Sequence, residues 1–400
     1  MKAVILAAGE GNRMRPLTYT KPKVMLPIAN KPILEHLLIE VGKAGIKEFI
    51  FIVGYHDDQV RRYFGNGDRW KVSIDYCTQR KQFGTADALR MVERLVNGTF
   101  LVINGDVIVN HKDIKSLARR NDSTMSVIEV EDTMDLGLVE LAEDKVVHIY
   151  EKAGKPLSNL ANAGLYLFTP DVFSTISQIS RSPRGEYEIT DSLQLLIDQG
   201  RRISYQKLNN WLNISYPWDL LTANESLLEV VEAQNLGEVE ENVVIRGPVS
   251  IGRGTIVRSG SYIVGPVIIG QDCDIGPNCY IRPHTSIGDS CNIGNAVEVK
   301  NSVIMRGNKI PHQNYVGDSV IGEECNLGAG TKIANLKLDG RNILVDSRDT
   351  KRRKLGAVIG DRVEIGINAS INVGSMIGNN THIGPGATVS GIISPDSKIF

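Results

Sequence analysis

From about residue 240 onward, aliphatic side chains recur at every sixth position. Ile245, Ile251, Val257, Ile263, Ile269, Ile275, Ile281, Ile287, Ile293 and Val299 keep one phase without a break, and Ile359, Ile365, Ile371, Ile377, Ile383 and Val389 resume it later. Four residues after each aliphatic in the first run comes a compact residue, among them Thr255, Ser261, Cys273, Cys279 and Cys291, and Cys325 stands in the same place after Ile321. Such a repeat cannot bury its apolar face alone. It does so by stacking each turn of chain on the one below, which is the signature of a parallel β-helix. Four of the five cysteines then read as small core residues. Their odd number and the lack of any CxxC pair argue against a disulfide framework or a zinc site.

The first 230 residues follow another rule. "AVILAA", "FIFIVG" and "TFLVINGD" read as buried parallel strands, while "ILEHLLIEVGKAG" and "TADALRMVERLV" carry the spacing of amphipathic helices. The pattern is α/β. A helix over about 217–236, opening with Pro217, is expected to link a domain of residues 1–230 to a coil of residues 237–400. Lys and Arg total 45 against 46 Asp and Glu. No global field therefore attracts nucleic acid or an anionic membrane, and any anion is bound at a local site. No apolar run approaches the ~20 residues of a membrane span, and the N-terminus lacks the pattern of a signal peptide, so a soluble, cytoplasmic protein is expected.

"LAAGEGNRMRPLTYTKPKVMLP" follows the first predicted strand. Gly9 and Gly11 permit close approach of backbone N–H groups to phosphate. A dinucleotide fingerprint would need a further glycine where Met14 stands, and no Gly-Lys-Ser/Thr follows. Arg13 and Lys23 instead supply two cations for a triphosphate. Gly9, Gly11, Arg13, Pro22 and Lys23 resemble the GxGxR…PK signature of the sugar-phosphate nucleotidylyltransferases, a likeness that extends over the whole first domain.

That resemblance implies a Rossmann-like nucleotidyltransferase domain. It assigns catalytic roles to Arg13 and Lys23, nucleotide contacts to Leu6, Gly9, Gly11, Gln79, Gly84 and Thr85, and Mg2+ ligation to Asp106 and Asn213. Relatives with thymidylyltransferase activity carry Asp-Ile-Gly where this chain has Asn213-Ile-Ser215, but an amide oxygen is a legitimate Mg2+ ligand. Asp106 could otherwise merely cap a turn. Gln79, where guanylyl-transferring relatives carry an acid, favours UTP or dTTP. Gly137, Glu151, Lys152, Asn162 and Gly164 match the family's hexose pocket, with Ala153, Gly154 and Lys155 standing where the family has Pro directly after Glu-Lys.

In the coil, the six-residue phase reaches Met305, after which "RGNKIPHQNYVGDSV" reads as an insertion before Ile321 restarts the count. An insertion in a solenoid emerges as a loop on one face, often the binding face. The core needs no histidine there, and an imidazole titrating near pH ~6.5 suits a general base. His312, Tyr315, Gly317 and Asp318 resemble the acetyl-transfer loop of the bacterial bifunctional N-acetylglucosamine-1-phosphate uridylyltransferase/glucosamine-1-phosphate acetyltransferases. The chain as a whole is similar to their archaeal counterparts, the bifunctional sugar-1-phosphate nucleotidylyltransferase/acetyltransferases.

The likeness implies a left-handed β-helix and a homotrimer or dimer of trimers. It makes His312 the base toward the amine of the substrate, and assigns substrate contacts to Arg282, Lys300, Tyr315, Asn326 and Asn335. Acetyl-CoA would be met by Ala329, with Arg353 and Lys354 of "DTKRRKLG" near its phosphates; such a run could equally be a solvated face. Leu336 stands where the family has Tyr. The expected function is acetyl-CoA-dependent N-acetylation of glucosamine or galactosamine 1-phosphate, together with uridylyl or thymidylyl transfer to a sugar 1-phosphate. The alternatives are nucleotidyl transfer alone, with the coil as a trimerising or regulatory scaffold, and a non-catalytic regulatory subunit.

Overall fold

A computed structural model describes residues 1–151 and 158–400; Lys152 lies outside the described residues. They form two compact units. One comprises Met1–Glu10, Lys21–Met25 and Ile33–Asn213, and the other Gly11–Thr20, Leu26–Pro32 and Ile214–Phe400. No helix among the described residues is long and apolar enough to cross a membrane.

The first unit is built on a nine-stranded sheet. The runs read as buried strands become Lys2–Ala7, Glu48–Val53 and Phe100–Asn104, which pair in parallel with Lys2–Ala7 between the other two. Ser73–Thr78 extends the parallel half beyond Glu48–Val53. On the other side the sheet is mixed, because Leu160–Phe168 runs antiparallel to Phe100–Asn104 and to Thr124–Glu129. The strand order thus reverses between Lys2–Ala7 and Phe100–Asn104. A crevice opens at the carboxyl ends of strands at such a point, and there the chain places Gly9 and Asp106.

The expected helix from Thr85 is shorter than its pattern. It ends at Arg90, and the chain tightens into i→i+3 bonds from Met91 to Ala88 and from Val92 to Leu89. This turns both Val92 and Val96 into the core.

In the second unit the coil closes three parallel sheets of nine, nine and eight strands, the architecture of a left-handed β-helix. Its interior is the predicted aliphatic ladder with Cys273, Cys279, Cys291 and Cys325 inserted in it, all at most 2% exposed. The segment "RGNKIPHQNYVGDSV" is not an insertion. Ile287 pairs with Ile304, and Ile304 with Ile321. The coil therefore continues through Lys309–Ile310 and Tyr315–Gly317, and the apparent break arises from rungs one residue shorter than before. Ile304, not Met305, occupies the ladder.

The real insertion is 334–356. It leaves the coil after Lys332–Ile333, forms an antiparallel hairpin of Leu344–Val345 and Arg348–Asp349, and returns at Ala357–Ile359.

The expected helix over 217–236 is Asp219–Leu228, and a coil strand already begins at Gln234. It is fastened to the coil by Asn224, which is fully buried. The Asn224 Nδ2 donates to the His284 carbonyl at 2.8 Å, and its Oδ1 accepts from Ala29 N–H and Ser286 Oγ at 2.9 Å. A buried amide satisfied on both sides costs little.

Candidate active sites

In the first unit, Asp106 follows the strand Phe100–Asn104 and accepts from Lys23 Nζ at 2.6 Å. The ribbon Val107–Val109 pairs antiparallel with Trp211–Asn213, so that Asn213 stands opposite Val107 and next to Asp106. One carboxylate and one amide oxygen are thereby offered at the same strand end. That set fits Mg2+, which is held by one or two protein oxygens and completes its octahedron with phosphate and water.

Gly9 lies just past the first strand, and a Cβ built on it meets nothing within 4 Å. The fold does not need glycine there; open backbone does. Gly84 differs, because at φ +110° its Cβ would lie 2.4 Å from the Tyr187 carbonyl, and Thr85 Oγ1 accepts from Ile189 N–H at 3.0 Å. These two residues dock the loop against residues 187–189.

Gln79 is buried. Its Nε2 donates to the Gly84 carbonyl at 3.2 Å and to the Asp87 carboxylate at 2.9 Å. Asp87 demands a donor, which fixes the amide orientation and leaves Oε1 as the acceptor for a ligand.

Of the residues expected at the hexose, Gly137 lies beside Glu151 and Asn162. The Gly137 carbonyl accepts from Asn162 N–H at 2.9 Å, and a Cβ on Gly137 would stand 3.3 Å from Glu151 Oε2. Gly164, at φ +72°, lies in a register shift of Leu160–Phe168, and its Cβ would collide with the Asn104 side chain. Bulges of this kind re-aim side chains beside sites.

Sequence reasoning missed what holds Glu151. Arg184 bridges it at 2.8 Å to Glu188 at 2.7 Å, and Thr190 Oγ1 donates to its other oxygen at 3.1 Å. The signal lay in "RGEYEITDS", an acid-rich stretch opening the helix Ile189–Asp198.

Burial pushes the Glu188 carboxyl up to about 7; Arg184 opposes this, while Glu151, Glu186 and Asp191 add to it. A carboxyl raised on folding binds more protons in the native state, so its stabilising contribution is full below pH ~4.5 and is lost as pH rises to about 7. Glu188→Gln is expected to flatten the fall in the urea midpoint across that window. An unchanged slope would show that Glu188 does not carry it.

In the second unit the predicted acetyl-transfer residues fall into four places. On one face, Asp318 is buried and accepts from Lys300 Nζ at 2.8 Å, Asn301 Nδ2 at 2.8 Å and Asn335 Nδ2 at 2.5 Å. Asn335 Nδ2 also donates to Tyr315 Oη at 3.2 Å. A Cβ on Gly317 would sit 2.7 Å from both partners of that bond, so glycine is what lets them meet. Burial, opposed by the Asn335 bond, pushes the Tyr315 phenol up and keeps it a neutral donor. Arg282, on the same sheet, pairs with Glu298 at 2.8 Å.

His312 lies at the adjoining corner, exposed, with its carbonyl accepting from Gly330 N–H at 3.0 Å. This stacks it against the turn that carries Ala329. Asn326 is not brought to these residues: it belongs to the neighbouring sheet and donates to Glu364 at 3.3 Å. Arg353 and Lys354 are exposed at the end of the insertion, with Arg353 Nε donating to the Gly340 carbonyl at 3.1 Å. Arg13 belongs to the second unit, its guanidinium 5.4 Å over the Tyr216 ring.

Residues 2–230 match the family described as Nucleotidyl transferase, and residues 263–372 match the one described as GMPPB C-terminal domain. The chain is 37% identical over its whole length to the "Bifunctional protein GlmU" of Methanococcus maripaludis, covering 97% of that protein. It is 40% identical to the "Bifunctional sugar-1-phosphate nucleotidylyltransferase/acetyltransferase" of Sulfurisphaera tokodaii, covering 98% of this chain and 97% of that one. A Bacillus anthracis structure described as a glucose-1-phosphate thymidylyltransferase in complex with a sucrose superimposes at TM-score 0.53. It shares 29% identity and covers 59% of this chain and 98% of its own. Matched over residues 2–230 by the Nucleotidyl transferase family and over 98% or more of its length by these bifunctional relatives, the chain belongs to the bifunctional sugar-1-phosphate nucleotidylyltransferase/acetyltransferase enzymes.

Proposed function

We propose that the coil transfers acetyl from acetyl-CoA to the amine of an amino-sugar 1-phosphate, glucosamine or galactosamine, and that the nucleotidyltransferase domain of residues 1–230 joins a sugar 1-phosphate to a uridylyl or thymidylyl group. The observation that carries the first step is the cluster of Tyr315, Asn335 and Lys300 built around the buried Asp318 carboxylate on one face of the coil. A scaffold needs no such polar network, and networks of this kind are retained at a stability cost. His312 takes the proton from the amine, whose nitrogen attacks the thioester carbonyl as the thiolate of coenzyme A leaves. Lys300 and Arg282 hold the sugar phosphate; Tyr315, Asn326 and Asn335 hold the sugar. Ala329, Arg353 and Lys354 lie along the path of the coenzyme.

Because Asn326 and Asn335 lie on different sheets of one coil, side-by-side packing of coils in a homotrimer would supply both to one sugar.

In nucleotidyl transfer, a sugar 1-phosphate oxygen attacks the α-phosphate in line and pyrophosphate leaves. Arg13 and Lys23 neutralise the phosphates, Gly9 and Gly11 let backbone approach them, and Gln79 Oε1 accepts from the ring N–H of the pyrimidine. Leu6, Gly84 and Thr85 shape the rest of the nucleotide pocket, and Gly137, Glu151, Lys152, Asn162 and Gly164 that of the hexose. Asp106 and Asn213 would hold Mg2+, which when bound supplies charge neutralisation at the reacting phosphates.

The test is thiol release from acetyl-CoA with each amino-sugar 1-phosphate, beside pyrophosphate release with UTP and with dTTP. Pyrophosphate without thiol release would leave the coil a scaffold. Chelation of Mg2+ is expected to stop only the pyrophosphate.

A further inference from the structure

The insertion 334–356 is tied at both ends of its length. At its root, Leu355 N–H donates to the Asn335 carbonyl at 3.0 Å and Gly356 N–H to the Asp318 carbonyl at 2.8 Å. Along its flank, Arg352 bonds Glu225 at 2.5 Å and Thr222 Oγ1 at 2.9 Å on the helix Asp219–Leu228, and Ile343 and Leu355 are fully buried. The hairpin therefore presents Arg348 from a fixed base. Its guanidinium lies 4.6 Å over the ring of Tyr216, the ring that also carries Arg13.

Tyr216 is itself held. Its N–H donates to Asp219 Oδ2 at 2.7 Å, and its ring stacks on Trp218 at 4.9 Å with the planes 3° apart. Arg13, Arg15, Tyr19, Tyr216 and Arg348 line one cavity of about 360 Å3.

We infer that Tyr216 and Arg348 are positioning residues for Arg13 in nucleotidyl transfer, an inference that rests on the reading of Arg13 as a phosphate-binding arginine. Arg13 is exposed in the short 3-10 turn Asn12–Met14, where a long side chain has many rotamers to lose on binding. An aromatic face under its guanidinium removes part of that freedom beforehand. A second guanidinium on the same ring opposes the first through like charge, so an incoming phosphate relieves repulsion as well as forming bonds. The arrangement favours occupancy by an anion over the empty state.

The experiment measures kcat/KM for the nucleoside triphosphate, KM for the sugar 1-phosphate, and thiol release from acetyl-CoA in Arg348→Ala, Arg348→Lys, Tyr216→Leu, Tyr216→Phe and Arg13→Ala. Arg348→Ala and Tyr216→Leu are expected to lower the first roughly two- to thirty-fold, the range of one cation–π contact. The other two quantities should hold. Arg348→Lys and Tyr216→Phe, which keep the charge and the ring, should recover most of the loss.

The inference is overturned if Arg348→Ala behaves as wild type, if the conservative variants lose as much as the truncations, or if thiol release falls in step. An Arg13→Ala chain with full turnover would overturn the reading of Arg13 itself. An impaired Arg13→Ala beside an unaffected Arg348→Ala would sink only the positioning role.

Discussion

His312→Ala is expected to lower thiol release from acetyl-CoA by about 10²- to 10⁴-fold, the span of general acid–base catalysis, while pyrophosphate release stays at its wild-type rate. The corner bearing His312 is shaped by backbone. Its carbonyl holds Gly330 N–H, Gln313 N–H donates to the Asn295 carbonyl at 3.0 Å, and Gln313 takes the left-handed conformation found at the equivalent corner residues Ala296 and Gly330. Beside it Asn314 is buried, its Nδ2 donating to the Leu327 carbonyl at 3.2 Å. None of these bonds uses the imidazole, so the variant should fold with the corner intact and lose only the base. Thiol release surviving in His312→Ala would show that His312 is not the base.

The second large effect is expected at Asp106. Asp106→Ala should reduce pyrophosphate release on the order of 10²- to 10³-fold, as removal of one preorganised charge-stabilising group does, with thiol release untouched. Two changes coincide there. A carboxylate at the strand end disappears, and Lys23, whose side chain is 11% exposed, loses its partner at 2.6 Å. Asp106→Asn separates them by keeping an oxygen and removing charge. Its Mg2+ requirement for half-maximal rate should rise, whereas Asn213→Asp should lower it. A rate that ignores Mg2+ in all three chains would remove the metal from this strand end.

The repeat was legible because one aliphatic per six residues is a packing requirement repeated at every rung. Its phase slip was not. Ile304 and Met305 are neighbouring apolar residues, and a ladder shortened by one residue can be read through Met305 as if it were intact, which pushes the discrepancy downstream and makes it look like added chain. Pairing resolves this because Ile304 alone meets Ile287 and Ile321. Gly9 and Gly84 were both legible as nucleotide-contacting glycines, yet only the space around them separates their reasons, with Gly9 open and Gly84 wedged against Tyr187. Arg184 and Glu188 escaped because an ion pair that orients Glu151 across 33 residues leaves no local period. Asn326 and Asn335 looked alike in sequence, but the coil turns a corner between them.

The cysteines in the ladder give the chain an internal clock. Cys273, Cys279, Cys291 and Cys325 are each at most 2% exposed, whereas Cys77 in the first unit is only half-buried. Burial and Asp75 push the Cys77 thiol up and slow it, but do not hide it. A thiol reagent in excess should therefore count one fast sulfur in the native protein and reach the other four only as rungs part. The rate of those late events reports how often the solenoid breathes, and the cysteine that carries the reagent marks the rung.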